Sequence, residues 1–572
     1  MPRPILLINP ACKDLRVTDD DAGQVPIGLY YIAALLRENG FDADIVNLAD
    51  LSDDALSVFR QTMEERKPSL VGFSITNPNR INAMECAAVS KQISPDTPVV
   101  FGGPAATFLS DHLFSVCPAI DVIVKGEGET TFLELVKTFT STPGVDPDHV
   151  KGIIFRNHQG GLTENTDRPM IQDLDALPHP ARHFKLAHLS MSRGCPGRCT
   201  FCGSPRFWTG GSVRFHSPEW MFEEIRLLEQ HKISHFFMSD DTFTLDKERV
   251  LSLCTLICEA GLSITWNAIS RVDHVDEDML HAMRKAGCIQ ISYGVESGSA
   301  EIRKRLGKPL NPDTIVNTFH LTVSYGILPR AYFIYGSPGE TQATIEKSIV
   351  LMHRIKPLAA IFYMLVVFPG TFLYEQAKKK EVINDDIWCE PVEDLPWFEL
   401  DDQLDFSSVK GFGDRLRAEF YSNVSKYALS IELVDRPDLN ESHARFLSML
   451  GATFSHGDYS RDKRIPDPGR TAIALYKKSL TYHPEPVVFL ELATLLQQRQ
   501  QFSKAETLLD RGLDLFPHDP ALHTCMGICL MNMGAFQKAL PYFETFKTAA
   551  QVAPYIRICQ QHIEQENRND HL

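Results

Sequence analysis

Residues 191–205 read Met-Ser-Arg-Gly-Cys-Pro-Gly-Arg-Cys-Thr-Phe-Cys-Gly-Ser-Pro, which puts Cys195, Cys199 and Cys202 at C-x3-C-x2-C spacing on a loop rich in glycine and proline. Such a loop lets three thiolates converge on one small inorganic body. An iron–sulfur cubane normally takes four cysteines, so one held by three keeps an iron open to an outside ligand. That arrangement suits catalysis at the iron rather than electron carriage alone. A structural zinc site competes for the same residues, but it asks for four closed ligands, often as paired C-x2-C units. No second pair lies nearby, and His216 is a distant candidate for the fourth ligand. The spacing favours a [4Fe-4S] cluster.

A chain of 572 residues exceeds one hydrophobic core, so two to four domains are expected. With 44% hydrophobic and 23% charged residues it has the composition of an ordinary globular protein. The longest apolar runs, such as 359–368, fall short of a bilayer span, so no transmembrane segment is expected. The first residues enter a strand without a small-residue cleavage site; no leader is expected, and the location predicted is cytoplasmic. A net charge of −16 argues against a broad nucleic-acid surface. Thirteen cysteines without a secretory leader point to reduced thiols and metal chemistry. Cys254 with Cys258 and Cys525 with Cys529 are i,i+4 pairs, read as buried small apolar residues rather than a second cluster.

Apolar runs at 4–9, 43–48, 70–76, 99–101 and 122–124 alternate with helical stretches, among them 27–39, which stops at Gly40. This alternation predicts a doubly wound parallel sheet, whose ligands bind at the carboxyl ends of the strands. Two exits carry glycines: Gly102 and Gly103, then Gly126-Glu127-Gly128-Glu129. Glycines there let backbone approach a large flat ligand, although each can also serve a tight turn. A hairpin is predicted around Gly160-Gly161, followed by an extended acidic linker at 173–180.

From Leu189 six further strand–helix units are predicted, with strands at 189, 235–238, 264–269, 289–295, 331–335 and 361–368. They make a partial TIM-like barrel with its functional groups at the carboxyl ends. Those ends hold Asp240, Asp241, Glu296 and Gly336. The carboxylates can accept hydrogen bonds from an ammonium or from ribose hydroxyls, and the glycine admits a flat base. Each could equally cap a helix or make a turn. Tyr293 and Tyr335, with Tyr332, Tyr363 and Met364, come from the same strands; they are core residues or candidates for hydrogen-atom transfer. Arg271 and Arg330 lie beside strand ends and suit surface ion pairs or an acidic substrate group.

The cysteine spacing, with Phe201 before the last cysteine, resembles the radical SAM superfamily. The glycine exits and the Pro26-Ile-Gly-Leu-Tyr-Tyr-Ile-Ala-Ala-Leu-Leu helix resemble the cobalamin-binding domain that precedes many such cores. The resemblance implies that S-adenosylmethionine chelates the open iron, that an external electron donor triggers its cleavage to a 5′-deoxyadenosyl radical, and that cobalamin is a further cofactor. It assigns Phe201, Asp240, Asp241, Glu296 and Gly336 to S-adenosylmethionine. To cobalamin it assigns Gly102, Gly103, Gly126, Glu127, Gly128 and Glu129, with the loop residues Asn77, Asn79 and Arg80 facing the lower side. The D-x-H-x-x-G motif of mutase-type cobalamin domains is absent, since Asp111 and His112 are adjacent, so no histidine is expected beneath the cobalt.

Beyond an acidic, aromatic stretch, Ala472, Ala505 and Ala539 recur at intervals of 33 and 34 residues within similar patterns, the tetratricopeptide period. Such repeats suit a protein or peptide partner, or simply brace the fold. The predicted architecture is a doubly wound domain at 1–145, a hairpin and linker at 146–185, the radical core at 186–385, a helical connector at 386–470 and the repeats at 471–572. The function expected from the resemblance is a cobalamin-dependent radical methyltransferase acting on an unactivated carbon. The rivals are a ring-forming or rearranging enzyme of the same family, and an interaction protein with a structural metal. No residue names the substrate.

Overall fold

The computed structural model describes residues 3–12, 24–141, 145–208, 212–390, 392, 395–547 and 551–569; most of the polar stretch between the first apolar run and the helix at 27, and Pro391 of the acidic, aromatic stretch, lie outside them. The first sheet contains β1 (Ile5–Asn9), β2 (Ala43–Asn47), β3 (Leu70–Ser74), β4 (Val99–Gly102), β5 (Val122–Val124), β6 (Ile153–Arg156) and β7 (Leu162–Glu164), in the order β2-β1-β3-β4-β5-β6-β7. The first five are parallel, and β6 and β7 are antiparallel additions. Side chains alternate across the sheet, so Leu6, Ile8, Val71, Phe73, Val99 and Phe101 join one apolar cluster, and Ile5, Leu7, Leu70, Val100 and Val122 join another. Burial on both faces is what a parallel sheet covered by helices requires. The chain leaves β1 for β2 on one side and returns to β3 on the other, which creates a switch point and a crevice at the carboxyl ends. The hairpin read as a connector is instead part of this sheet, because β6 pairs with β5.

The second sheet contains β8 (His188–Leu189), β11 (His235–Met238), β12 (Thr265–Ser270), β13 (Cys288–Glu296), β14 (Leu328–Tyr335) and β15 (Ala359–Met364) in chain order, with β9 (Ser192–Arg193) and β10 (Arg214–Phe215) forming a separate ribbon. Helices Pro218–Gln230, Lys247–Glu259, Glu277–Lys285, Pro312–Ser324 and Gln342–Ile355 lie between the strands. The result is a partial (β/α)6 barrel. Local chemistry starts its helices: Ser217, Asp246 and Asp276 each accept a hydrogen bond from the amide three residues on.

The chain divides into two compact units, 1–316 with 331–351 and 361–414, and 317–330 with 352–360 and 415–572. In the first, one apolar cluster runs from Leu6 and Phe73 to Ile302, Leu306 and Leu365, so one face of the sheet shares a core with the segment after β13 and the segment after β15. The second contains helices Asn440–Ser455, Pro468–Tyr482, Pro486–Gln498, Phe502–Leu515, Pro520–Asn532, Phe536–Glu544 and Ala553–Asn569, successive members packing on one another. Ala472, Ala505 and Ala539 are fully buried, and a side chain on Gly527 would come within 2.4 Å of Phe543. The periodic small residues thus sit where helices touch. Cys254, Cys525 and Cys529 are buried as expected, whereas Cys258 is exposed. Among the described residues no helix is long and apolar enough to cross a membrane.

Candidate functional site

The cysteine loop is pinned on both sides. Arg193 pairs with Arg214, and Ser192 with Phe215, across the β9–β10 ribbon. At Gly194 (φ +108) a side chain would approach the Ser212 carbonyl to 2.4 Å, so glycine is needed where the loop departs. Farther on, the Thr200 amide donates to the Leu306 carbonyl at 3.0 Å, and the Leu373 amide donates to the Thr200 carbonyl at 3.0 Å. The Gly197 amide donates to Cys195 Sγ at 3.4 Å, and a Cβ on Gly197 would lie 3.3 Å from that sulfur and 3.9 Å from Cys199 Sγ. Burial raises the Cys199 thiol and pushes Cys202 up to about 11; Lys308 and Arg271 pull Cys199 back toward the thiolate. Neighbouring thiols add to both shifts, which marks the three as one electrostatic group.

The number of ligands discriminates between the metals. Three thiols alone are one ligand short of a closed structural zinc site, whereas they suit a cubane with one open iron. His216 is no fourth ligand: its Nε2 lies 3.1 Å from Tyr31 Oη, its Nδ1 lies 3.1 Å from Asp175, and its ring stacks on Trp220. Burial drives its pKa down to about 3, so it is a neutral core histidine. The thiols therefore fit an iron–sulfur cluster.

Around this loop the predicted contacts separate. Asp240 is fully buried and accepts hydrogen bonds from the Met191 amide (3.2 Å), the Ser192 amide (2.6 Å) and Ser192 Oγ (2.5 Å). Through these bonds Asp240 positions the turn that leads into the cysteines. Its neighbour Asp241 accepts from Ser204 Oγ at 2.5 Å and lines the cleft described below. Phe201 packs into the apolar cluster shared with the first sheet, holding the loop against the core. Glu296 ends β13 with φ +63, a conformation rare outside glycine and found where structure serves function. Its Oε1 accepts from Lys308 Nζ at 2.7 Å, both side chains being nearly buried. A Cβ on Gly294 would lie 2.3 Å from both atoms, so this pair depends on that glycine.

Gly336 (φ +79) leaves β14, and its amide and that of Ser337 donate to Glu340 Oε2 at 2.5 and 3.2 Å. Burial pushes Glu340 up to about 7, above an ordinary carboxylate. A raised acid stabilises the fold when protonated, so this contribution is complete below about pH 4.5 and is lost as pH rises through about 7. Glu340→Gln should therefore flatten the fall in stability between pH 5 and 8, read from chemical denaturation at several pH values. An unchanged slope would remove Glu340 as its source.

Between the carboxyl ends of the first sheet and the entrance to the cysteine loop lies a cleft of about 1210 Å³, counting its part open to solvent. Its enclosed part, about 280 Å³, stands near the lower end of the roughly 300–1,000 Å³ of a drug-sized site, and the remainder is open to solvent. One wall presents Gly102, Gly103, Gly126, Gly128, Glu127 and Glu129; the other presents Ser190, Ser192, Arg193, Trp208, Ser239 and Asp241. Gly103 (φ +97) and Gly126 (φ +66) hold left-handed turns, and Gly28 and Gly102 face open space or distant atoms. These missing side chains leave that wall open to the close approach of a flat ligand, as a corrin requires, and the lining, among the described residues, contains no histidine.

Glu127 and Glu129 do more than line it. Arg193 Nη1 donates to Glu127 at 2.8 Å, Arg193 Nη2 donates to Glu129 at 2.6 Å, and Arg214 Nη1 donates to Glu127 at 2.9 Å. The acids are thus spent on locking the sheet to the β9–β10 ribbon, two residues before Cys195. Of the loop residues Asn77, Asn79 and Arg80, none lines the cleft. Asn79 accepts from the Thr76 amide and donates to the Ser74 carbonyl, closing the turn. Arg80 is fully buried and donates to the carbonyls of Trp388 and Glu390 at 3.1 and 2.6 Å. Tyr293 and Tyr335 are buried and do not line the cleft either. Arg271 makes a two-point pair with Asp273 (3.0 and 2.8 Å) and lies beside the cysteine loop.

Sequence reasoning missed Arg193, Arg214, Lys308 and Trp208. Arg193 could have been found from its place beside the cysteines; Lys308 offered only a glycine before it.

Fold, cysteine loop and cleft together define a cobalamin-type radical enzyme. Residues 189–352 match the model of the radical SAM superfamily, and residues 22–136 match that of the B12 binding domain. An uncharacterized methyltransferase of Pyrococcus horikoshii is 32% identical over 365 residues, covering 62% of this chain and 78% of the relative. The anaerobic magnesium-protoporphyrin IX monomethyl ester cyclase of Rubrivivax gelatinosus is 27% identical, covering 63% and 67%. Among solved structures, the radical S-adenosylmethionine methyltransferase TsrM from Kitasatospora setae, with cobalamin and a [4Fe-4S] cluster bound, superposes with a TM-score of 0.56 at 19% identity, covering 66% and 75%. The chain belongs to the radical SAM superfamily, in the branch that carries a B12-binding domain. It is a radical SAM enzyme whose cofactors are a [4Fe-4S] cluster, S-adenosylmethionine and cobalamin, and it requires an outside electron donor.

Proposed function

We propose that the enzyme transfers a methyl group to an unactivated carbon. The observation that carries this is the shared cleft: Arg193, Ser192 and Asp241 belong at once to its wall and to the surroundings of the cysteine loop. When bound, the cluster with S-adenosylmethionine supplies one-electron, hydrogen-abstracting chemistry, and cobalamin supplies methyl transfer. The chain's residues supply placement. Cys195, Cys199 and Cys202 would hold the cluster, with Lys308 and Arg271 offsetting its negative charge. Glu296 and the backbone around Gly336 would hold S-adenosylmethionine; Asp241 offers a carboxylate to the side of the loop that faces the cleft. The apolar wall of Leu7, Ile32, Val100 and Phe132 would keep water from a reactive carbon.

Two relatives point in different directions, since one is named a methyltransferase and another a cyclase. Turnover with S-adenosylmethionine labelled in its methyl group separates the two outcomes across a panel of candidate substrates. A product heavier by the labelled methyl is expected. A product lighter by hydrogen and free of label would replace methyl transfer with ring formation. Zinc in place of iron after anaerobic reconstitution would remove the radical reading altogether.

A further inference from the structure

Three metal-ligating side chains meet outside the cleft and the cysteine loop. A ring nitrogen of His112, a carboxylate oxygen of Asp386 and the sulfur of Cys389 all lie within 4.8 Å of one another. His112 comes from the helix Ser110–Val116, and the other two from the 3-10 turn Asp385–Cys389. In a 3-10 turn residues three apart eclipse, which is why Asp386 and Cys389 share an edge. The turn is fixed on either side of both ligands: Asp385 accepts from Tyr374 Oη and from Lys378 Nζ at 2.7 Å each, Trp388 Nε1 donates to Tyr374 Oη at 2.7 Å, and Arg80 holds the carbonyls of Trp388 and Glu390. Asp385 is thus used within the turn and Asp386 is left facing His112.

A second observation points to a ligand. His112 is only 7% exposed, and its Nε2 is buried with no hydrogen-bond partner among the described residues. Buried polar atoms in native proteins are satisfied by protein, water or an ion. Imidazole, thiolate and carboxylate are the donor set of zinc, and three protein ligands leave a position for water. We propose that His112, Asp386 and Cys389 form a second metal site, which binds Zn2+ and clamps the 385–389 turn to the helix of the cobalamin-binding domain that carries His112.

The test uses the full chain with its iron–sulfur cluster in place, given one equivalent of Zn2+ and then desalted. Zinc K-edge absorption reads that element alone, so iron and cobalt do not interfere. The expected result is about one retained zinc with a single sulfur neighbour at ~2.3 Å and nitrogen or oxygen neighbours at ~2.0–2.2 Å. Cys389→Ser and Asp386→Asn alter exposed side chains and leave the fold intact. Each should weaken zinc retention at least about 100-fold, since losing a ligand outweighs the 10–100-fold cost of losing a ligand's support. Cys389→Ser should also erase the sulfur neighbour. No retained zinc, a sulfur signal that survives Cys389→Ser, or three sulfur neighbours from zinc lodged in the cysteine loop would each overturn the proposal.

Discussion

With Cys199 replaced by alanine, the anaerobically reconstituted chain should hold little iron and should release 5′-deoxyadenosine from S-adenosylmethionine at least about a thousandfold more slowly, equivalent to ~4 kcal/mol in the barrier. Cys199 is chosen because Lys308, Glu296 and Arg271 all act on its sulfur, which makes it the electrostatic centre of the site. Two remaining thiolates cannot hold a cubane against solvent. Cys258→Ala is the matched control, since that thiol is exposed on the helix Lys247–Glu259, and its iron content should equal that of the parent. Full iron occupancy in Cys199→Ala would show that the cluster is held elsewhere.

The second large effect is expected at Gly102. A Cβ there meets only Val124, at 3.8 Å from its Cβ and 3.9 Å from its carbonyl, so a side chain can be added without a clash. Gly102→Leu would nonetheless put an isobutyl group into the cleft. The variant should melt within a few degrees of the parent yet lose nearly all bound corrinoid, from about one per chain to less than about a tenth. Gly103→Leu is the contrasting case: its φ of +97 and the Ile75 carbonyl at 2.8 Å make any side chain disruptive. That variant should lose stability and corrinoid together. Retention of corrinoid in Gly102→Leu, with folding preserved, would move the cobalamin site out of this cleft.

How far the sequence disclosed this site depended on how local the information was. The cysteine loop was legible because its spacing, its glycines and Phe201 lie within a dozen residues, and the two sheets were legible from apolar runs separated by helical periodicity. The glycine exits were legible for the same reason. What lay beyond reach was direction. Asp240 and Asp241 are adjacent, yet one turns inward to three donors on residues 191 and 192 while the other lines the cleft, and nothing local decides which. Arg80 follows a strand end, where a ligand contact is a fair expectation. Its guanidinium instead turns to carbonyls 308 and 310 residues away. Glu127 and Glu129 line the cleft, but their partner Arg193 lies more than sixty residues on and could not be paired with them from composition or spacing.

That partnership has a thermodynamic side. Arg193 forms part of the cleft wall and also precedes the first cluster cysteine by two residues, with Glu127 and Glu129 holding its guanidinium in place. A ligand in the cleft that narrows the motion of this arginine would also narrow the motion of the cysteine loop, and any such coupling is reciprocal: assembly of the cluster would favour occupancy of the cleft by the same factor.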